Sequence, residues 1–255
     1  MRPAVRALVR GWAHLPSPRG PALAVIGYHR VADRADGMTV RISTFTEQMG
    51  RLAADRARVP VIDMDALMQR QQGDWPPRSV AVTIDDAWAD VHTNALPVLA
   101  SAAIPATLYV PTLLLGTGEY MNHGQLRECV AAGLAIGGHS RSHANLPRCD
   151  DAALEREVRG CREDLEDLLG QPVTSFAYPF GHVDARVRDA VAAAGYTTAV
   201  TTTRRWARPG SDPLLIPRNI IEDFDAATFG AALSGGLNVL RLADAVRSIG
   251  RGELQ

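Results

Sequence analysis

Short apolar runs rich in β-branched residues alternate along the chain with stretches whose apolar positions recur every three or four residues. Ala22 to Tyr28 reads as a strand, Val59 to Ile62 as a second and Ser79 to Ile84 as a stronger third. Ala106 to Val110, Leu134 to Gly137, Val173 to Ala177 and Thr197 to Val200 continue the series. The helical period covers Ser43 to Ala54, Met64 to Gln71, Val91 to Ala102, Gln125 to Ala132, Asp151 to Leu169 and Asp184 to Ala194. After Asp223 it returns at Ala226 to Leu233 and Leu237 to Ser248. This alternation predicts parallel strands joined by crossover helices.

Punctuation supports the boundaries. Asp150 and Asp151, with Glu155 shortly after, form a plausible capping pattern; Gly170 and Pro172 close that helix and Gly195 the next. Gln71 to Ser79, with Gly73, Pro76 and Pro77, reads as a loop. No repeat, low-complexity segment or domain linker stands out. At 255 residues the chain fits a single α/β barrel domain, a fold that typically takes roughly 250 residues.

Composition narrows the chemistry. Apolar residues make up 46% of the chain, enough for a sizeable core, and the formal net charge is -1, which argues against nucleic acid as a partner. All 27 basic residues are arginine. A chain without lysine has no Schiff-base lysine and no phosphate-loop lysine. Cys129, Cys149 and Cys161 are odd in number and match no zinc spacing, so they read as ordinary buried or half-buried thiols. No apolar run reaches the length of about 18 residues needed to span a membrane.

Residues 1–20 read as an N-terminal basic segment ahead of a catalytic domain over 21–255. Arg2, Arg6 and Arg10 would form one stripe on a helix. That stripe fits a surface helix, a disordered tail, or a segment resting on an anionic membrane. The segment makes a poor export signal, because Arg6 and Arg10 break its apolar run. The expected location is therefore cytoplasmic, with peripheral membrane contact as an option.

Four places carry chemistry. Thr83-Ile84-Asp85-Asp86 puts two carboxylates after an apolar strand, at the strand end where barrels keep their catalytic groups. One could bind a metal while its neighbour acts as a base; a turn with two solvated carboxylates fits as well. His139-Ser140-Arg141-Ser142-His143 follows another strand. Its two imidazoles, at i and i+4, would share a face if the segment is helical, and such a pair can grip a zinc ion. Together Asp86, His139 and His143 would make a two-histidine, one-carboxylate set with open positions, suited to zinc, iron, cobalt or manganese. Phe176-Ala177-Tyr178-Pro179-Phe180-Gly181 ends a strand in an irregular turn where aromatic side chains could wall a sugar-sized pocket and a backbone N–H could bind an oxyanion. His29, directly after the first strand, could protonate a leaving amine, with His182 as its competitor.

These residues resemble the motifs of the polysaccharide deacetylases, carbohydrate esterase family 4. Thr83 to Asp86 with Trp88-Ala89-Asp90 and Asn94 to Leu99 resembles the first motif, His139 to His143 the second and Phe176 to Gly181 the third, and Ile104 to Val110 resembles an intervening strand. The resemblance runs from about Ala22 to Ile221 and implies a distorted (β/α) barrel of about seven parallel strands. It implies a divalent metal, zinc first with cobalt, manganese or nickel as alternatives, on residues matching Asp86, His139 and His143. Asp85 then matches the base and the Phe180 backbone N–H the oxyanion donor.

The chain departs from the family in four respects. Ala87 replaces a usual glycine, Ala177 stands where many members carry an arginine, and neither an Asp-x-x-Asp-Trp nor a late Leu-x-His motif occurs. The chain more closely resembles a subgroup with an N-terminal Tyr-His-Arg-Val sequence. On that resemblance His29 fills the acid position and Arg218 replaces the missing arginine near Asp85. Tyr28, Trp88 and Tyr178 are the candidates for stacking on the sugar. The expected reaction is removal of N-acetyl groups from a glycan or glycolipid. The rivals are hydrolysis of a small amide or formyl-sugar lipid, with Arg141 or Arg218 meeting an anionic group, and a degenerate glycan-binding module. The oligomeric state is left open.

Overall fold

A computed structural model describes residues 3–12, 20–34, 36–70 and 74–240. In chain order its elements are α1 (Pro3–Trp12), β1 (Leu23–Tyr28), β2 (Arg30–Val31), β3 (Thr39–Val40), α2 (Ile42–Asp55) and α3 (Met64–Met68). Then follow β4 (Ser79–Ile84), α4 (Leu96–Ala102), β5 (Ala106–Val110), α5 (His123–Ala131), β6 (Ala135–Gly138) and α6 (Asp151–Leu169). The chain continues with β7 (Ser175–Ala177), α7 (Ala185–Ala193), β8 (Thr198–Val200), β9 (Arg218–Ile220) and α8 (Ala226–Leu233).

Seven parallel strands form one sheet in the order β8-β7-β6-β5-β4-β1-β9. The segment entering β9 brings its two edges together. Ile216 forms a parallel bridge with Val200, and the Arg218 N–H donates to the Thr203 carbonyl at 3.0 Å. The sheet is thus nearly closed, and the expected distorted (β/α) barrel in a single domain is what the chain forms.

Period-two alternation decides which side chain faces where. Ala24, Ile26, Val80, Val82, Ile84, Leu108, Phe176 and Tyr178 pack with the helix residues Phe45, Met49, Val158 and Val187. Their strand neighbours Leu23, Val25, Ala81, Tyr109, Ala177 and Val200 form a second cluster in the lumen. Met64 and Leu67 of α3 and Trp75 join that cluster.

Several boundaries match the sequence pattern, and the exceptions have physical causes. Asp150 caps α6 by accepting from the Ala153 N–H at 2.7 Å, and Gly170 ends it in the left-handed region. Val59 to Ile62 is not a strand; only Val61 bridges Val80. β9 escaped the hydropathy pattern because two of its three residues, Arg218 and Asn219, are polar. Val91 to Ala102 starts as a wide turn over Val91–Ala95 and becomes α4 at Leu96. Pro97 has no N–H to donate one turn back, so the regular ladder fails there. Leu237 to Ser248 is described only as a short turn over Gly236–Leu240; positions 241–255 and Arg2 lie outside the described residues.

The basic stripe meets protein. Arg10 reaches Asp225 at 2.5 Å and Thr228 at 3.0 Å, Arg6 lies 3.7 Å from Asp225, and Val9 is buried. Helix α1 therefore docks on α8, with Arg6 and Arg10 both turned to the Asp225 carboxylate. No described helix is long and apolar enough to cross a membrane. The three cysteines are free thiols, buried or half-buried as expected.

β6 is tightly confined at Gly137. A Cβ there would lie 2.5 Å from the Tyr109 ring and 2.8 Å from the Ser175 carbonyl oxygen. Gly137→Ala should therefore cost about 1–3 kcal/mol through overpacking, read as a lower urea midpoint at unchanged slope. An unchanged midpoint would show that this part of the lumen yields easily.

Candidate active site

The inward parity of four strands continues into the loops at their C-terminal ends. After Leu23, Val25 and Gly27 comes His29; after Ala81 and Thr83 comes Asp85; after Ala135 and Gly137 comes His139. Arg218, paired in register with Val25 on β9, points into the same space and is fully buried. Four polar side chains from four strands thus meet at one rim of a mostly apolar lumen.

Left-handed turns add the rest. Asp86 and Ala87 have φ of 75° and 54°, and Ser140 and His143 each have 59°. The first turn swings Asp86 beside its neighbour instead of onto the outer face, where strict alternation would send it. The second folds His143 back over His139, with ring centroids 4.8 Å apart. The histidines therefore meet through a loop; the expectation that a helical i, i+4 spacing pairs them is corrected. Helix α6 holds that loop. Glu157 accepts from the Ser142 N–H at 2.9 Å and from its hydroxyl at 2.7 Å, while Asp164 accepts from Arg141 at 2.8 Å. Sequence reading missed Glu157 and Asp164, whose only signal was that they are acidic residues on a helix.

The Asp86, His139 and His143 donor atoms all lie within 4.8 Å of one another. Asp86 Oδ1 is 3.5 Å from His139 Nε2 and 3.4 Å from His143 Nε2. It is buried and has no hydrogen-bond partner, which is costly unless something else satisfies it. His139 Nδ1 lies 2.7 Å from the Ala177 carbonyl. A carbonyl only accepts, so Nδ1 carries the proton and Nε2 offers its lone pair, the arrangement usual for a metal-ligating histidine. An orphaned carboxylate oxygen between two aimed imidazole nitrogens fits a divalent cation.

Asp85 belongs to a different arrangement. Arg218 holds it with two hydrogen bonds of 2.6 Å, and Arg218 also donates to Thr83 Oγ1 at 3.1 Å. His29 Nε2 stands 3.9 Å from Asp85 Oδ2. Burial by itself would push the Asp85 carboxyl up, but Arg218, with His139 and His29, outweighs it and holds the group below the usual carboxylate range. Burial lowers His29, partly offset by Asp85 and Asp86. His139 is pushed up because Asp86 and Asp85 together overcome its burial. Two buried carboxylates thus face one guanidinium, and the site attracts further positive charge.

Other expectations are redistributed. Tyr28 and Tyr178 do not line the cleft: the former donates to Gln48 at 2.8 Å, the latter to the Leu214 carbonyl at 2.9 Å, and both are buried. Each follows an inward position, so alternation turns it outward under the helices. Trp88 is at the site, but Tyr120 stacks on it at 4.1 Å and the Arg30 guanidinium lies 4.3 Å from its ring centre. Much of the ring is thus taken up by protein contacts, and the indole N–H donates to Asp86 Oδ2 at 3.1 Å. Phe180, in the left-handed region at φ 62°, sets its exposed ring 4.6 Å from His143. His182 packs beside Phe180 at 5.6 Å, while His29 stands beside Asp85 at 3.9 Å, as His139 does at 4.0 Å. Arg141 and Arg218 are engaged by Asp164 and Asp85, so the expected free guanidinium for an anionic substrate is not found in either.

Fold and rim cluster together define a class: a (β/α) barrel whose C-terminal strand ends carry a centre shaped for a divalent cation. The comparisons then resolve the family. A model described as polysaccharide deacetylase matches residues 72–199, half of the chain. A chitooligosaccharide deacetylase of Rhizobium leguminosarum bv. trifolii is 30% identical over 143 residues, 54% of this chain and 64% of that protein. A poly-β-1,6-N-acetyl-D-glucosamine N-deacetylase of Staphylococcus aureus is 24% identical over 199 residues, covering 72% and 68%. The crystal structure of a polysaccharide deacetylase from Bacillus cereus shares the fold at a TM-score of 0.74, with 24% identity over 84% of this chain and 69% of that one. The chain belongs to the polysaccharide deacetylase family, carbohydrate esterase family 4.

The buried ion pair makes its own prediction. Arg218→Met leaves Asp85 an uncompensated buried charge and should cost about 3–5 kcal/mol, read by urea unfolding, with Arg218→Lys recovering only part. A loss under about 1 kcal/mol would be that of an exposed pair and would contradict the burial described.

Proposed function

We propose that the protein is a divalent-metal-dependent hydrolase that removes N-acetyl groups from an amino-sugar-containing glycan or glycan precursor. One observation carries the reading: a buried, unpartnered Asp86 oxygen faces two imidazole nitrogens while a second carboxylate, Asp85, stands beside them in a separate hydrogen-bonded grip. The printed names of the relatives support the substrate class.

Asp86, His139 and His143 would hold the cation; one oxygen and two nitrogen donors suit zinc first, and cobalt, manganese or nickel as well. A bound cation supplies Lewis acidity, polarising a carbonyl and lowering the pKa of a water from about 15.7 to about 7. Asp85 is kept ionised and oriented by Arg218 and takes the proton of the attacking water. The water oxygen adds to the amide carbon, and the Phe180 backbone N–H donates to the developing oxyanion. His29 delivers a proton to the nitrogen as the carbon–nitrogen bond breaks. Acetate and a free amine leave.

The test is acetate release from N-acetylated glycans by the chelator-stripped chain, with and without added zinc, cobalt or manganese. Activity should appear with metal and vanish with chelator. Asp85→Asn should abolish turnover while zinc stays bound, whereas His139→Ala should lose both, with metal content measured beside activity. His29→Ala should lower kcat by about 10²–10⁴ in a folded, metal-loaded protein. Unchanged turnover in that variant would remove His29 from the acid role, and no acetate from any acylated glycan would overturn the reading.

A further inference from the structure

Asp86 sits on a turn beyond the end of the β4 ladder. The β4 register with β1 and β5 ends at Ile84, and the next backbone positions, Asp86 and Ala87, are both left-handed. A short carboxylate there can rotate and exchange its two oxygens unless one of them is tied. The Trp88 indole, which can only donate, ties Oδ2 at 3.1 Å and leaves Oδ1 between the imidazoles.

Trp88 is itself held by two neighbours. Tyr120 stacks on its ring, nearly parallel at 18°, and the Arg30 guanidinium lies 4.3 Å from the ring centre. Arg30 cannot drift, because its Nε donates to Asp90 at 2.7 Å and a terminal nitrogen donates to Glu119 at 2.8 Å. Those anchors flank the turn: the Ala89 N–H donates to the Glu119 carbonyl and the Met121 N–H to the Ala87 carbonyl, both at 2.8 Å. Asp90 also accepts from the Val31 N–H at 3.1 Å, which joins the turn to the strand end carrying His29 and Arg30. A planar, forked cation can stack on an aromatic face and reach two carboxylates at once, which an ammonium cannot.

We propose that Trp88 and Arg30 are positioning residues for the cation site: Arg30 clamps the indole, the indole withholds Oδ2, and Asp86 is left as a one-oxygen ligand. A carboxylate free to turn would offer both oxygens and fill a further coordination position. Withholding one keeps that position open to water and substrate. The proposal rests on the reading of Asp86, His139 and His143 as ligands, and its test separates the two.

Zinc affinity of the stripped protein is measured by competition with a chromophoric chelator, and the visible absorption of the cobalt-loaded protein reports ligand geometry. Trp88→Phe keeps an aromatic ring against Tyr120 and removes the N–H donor together with part of the indole. Its metal-free form should melt within about 4 °C of wild type. Its zinc affinity should fall about 10–100-fold, as for other outer partners of metal ligands, and its cobalt bands should shift. Arg30→Met should weaken zinc in the same direction. Because Arg30 acts through the indole, the double variant should bind no more weakly than Trp88→Phe alone. Unchanged affinity and cobalt bands in Trp88→Phe would overturn the proposal, and fully additive losses would overturn the relay from Arg30. A wild-type chain that takes up neither zinc nor cobalt would instead overturn the ligand reading beneath it.

Discussion

At the top of the lumen a guanidinium and a carboxylate face each other with almost no access to water: Arg218 grips Asp85 through two hydrogen bonds of 2.6 Å. Either charge alone in that place would be strongly destabilising. Each therefore depends on the other, and the pair ties β9, the last strand in sequence, to β1 and β4. The close approach also explains Gly27, where a Cβ would lie 2.9 Å from Ile220 and 3.1 Å from the Arg218 side chain. The same contact that stabilises closure of the sheet keeps Asp85 charged and aimed at the rim. Arg218 reaches Asp85 from a strand remote in sequence, while the position of Ala177 carries no charge.

Backbone strain gathers around this pair. Six described non-glycine residues have left-handed φ, and five of them, Asp86, Ala87, Ser140, His143 and Phe180, lie at the rim. Such conformations persist only where the surroundings overdetermine them. Here the main-chain bonds to Glu119 and Met121 hold the first turn, and Glu157 and Asp164 of α6 hold the second. Rigid elements bring His29, Asp85, His139 and Arg218 to the rim, and strained turns add Asp86 and His143. The centre is therefore built partly by regular alternation and partly by departures from it.

Alternation also separates what could be read in advance from what could not. The strands over Ser79–Ile84 and Ala106–Val110 and the helix over Asp151–Leu169 were plain in the hydropathy pattern, because each buries a regular apolar face. β9 was hidden, since its buried arginine makes it look like a polar loop. Tyr28 and Tyr178 were misplaced for a different reason. They neighbour residues at the rim, but in a strand the neighbour of an inward residue points outward, and both rings lie under the helices. Counting parity from His29, directly after the same strand, would have put Tyr28 there. Trp88 does lie beside Asp86, but Tyr120 and Arg30 pack against its ring, which residue type alone could not reveal.

By itself the sequence determined the fold class, the identity of the Asp-Asp and His-x-x-x-His residues, and the family they belong to. These follow from local periodicity and from residue types at short spacing, which need no knowledge of distant contacts. The resemblance anticipated Arg218 near Asp85, but only the tertiary structure decided that it grips that carboxylate directly across 133 positions of chain, that a loop and not a helix pairs the histidines, and that Trp88 faces Asp86. Those outcomes depend on how a closing sheet brings remote strand ends together and on where the backbone turns left-handed. Both are settled by packing among distant segments, which no local stretch of residues encodes.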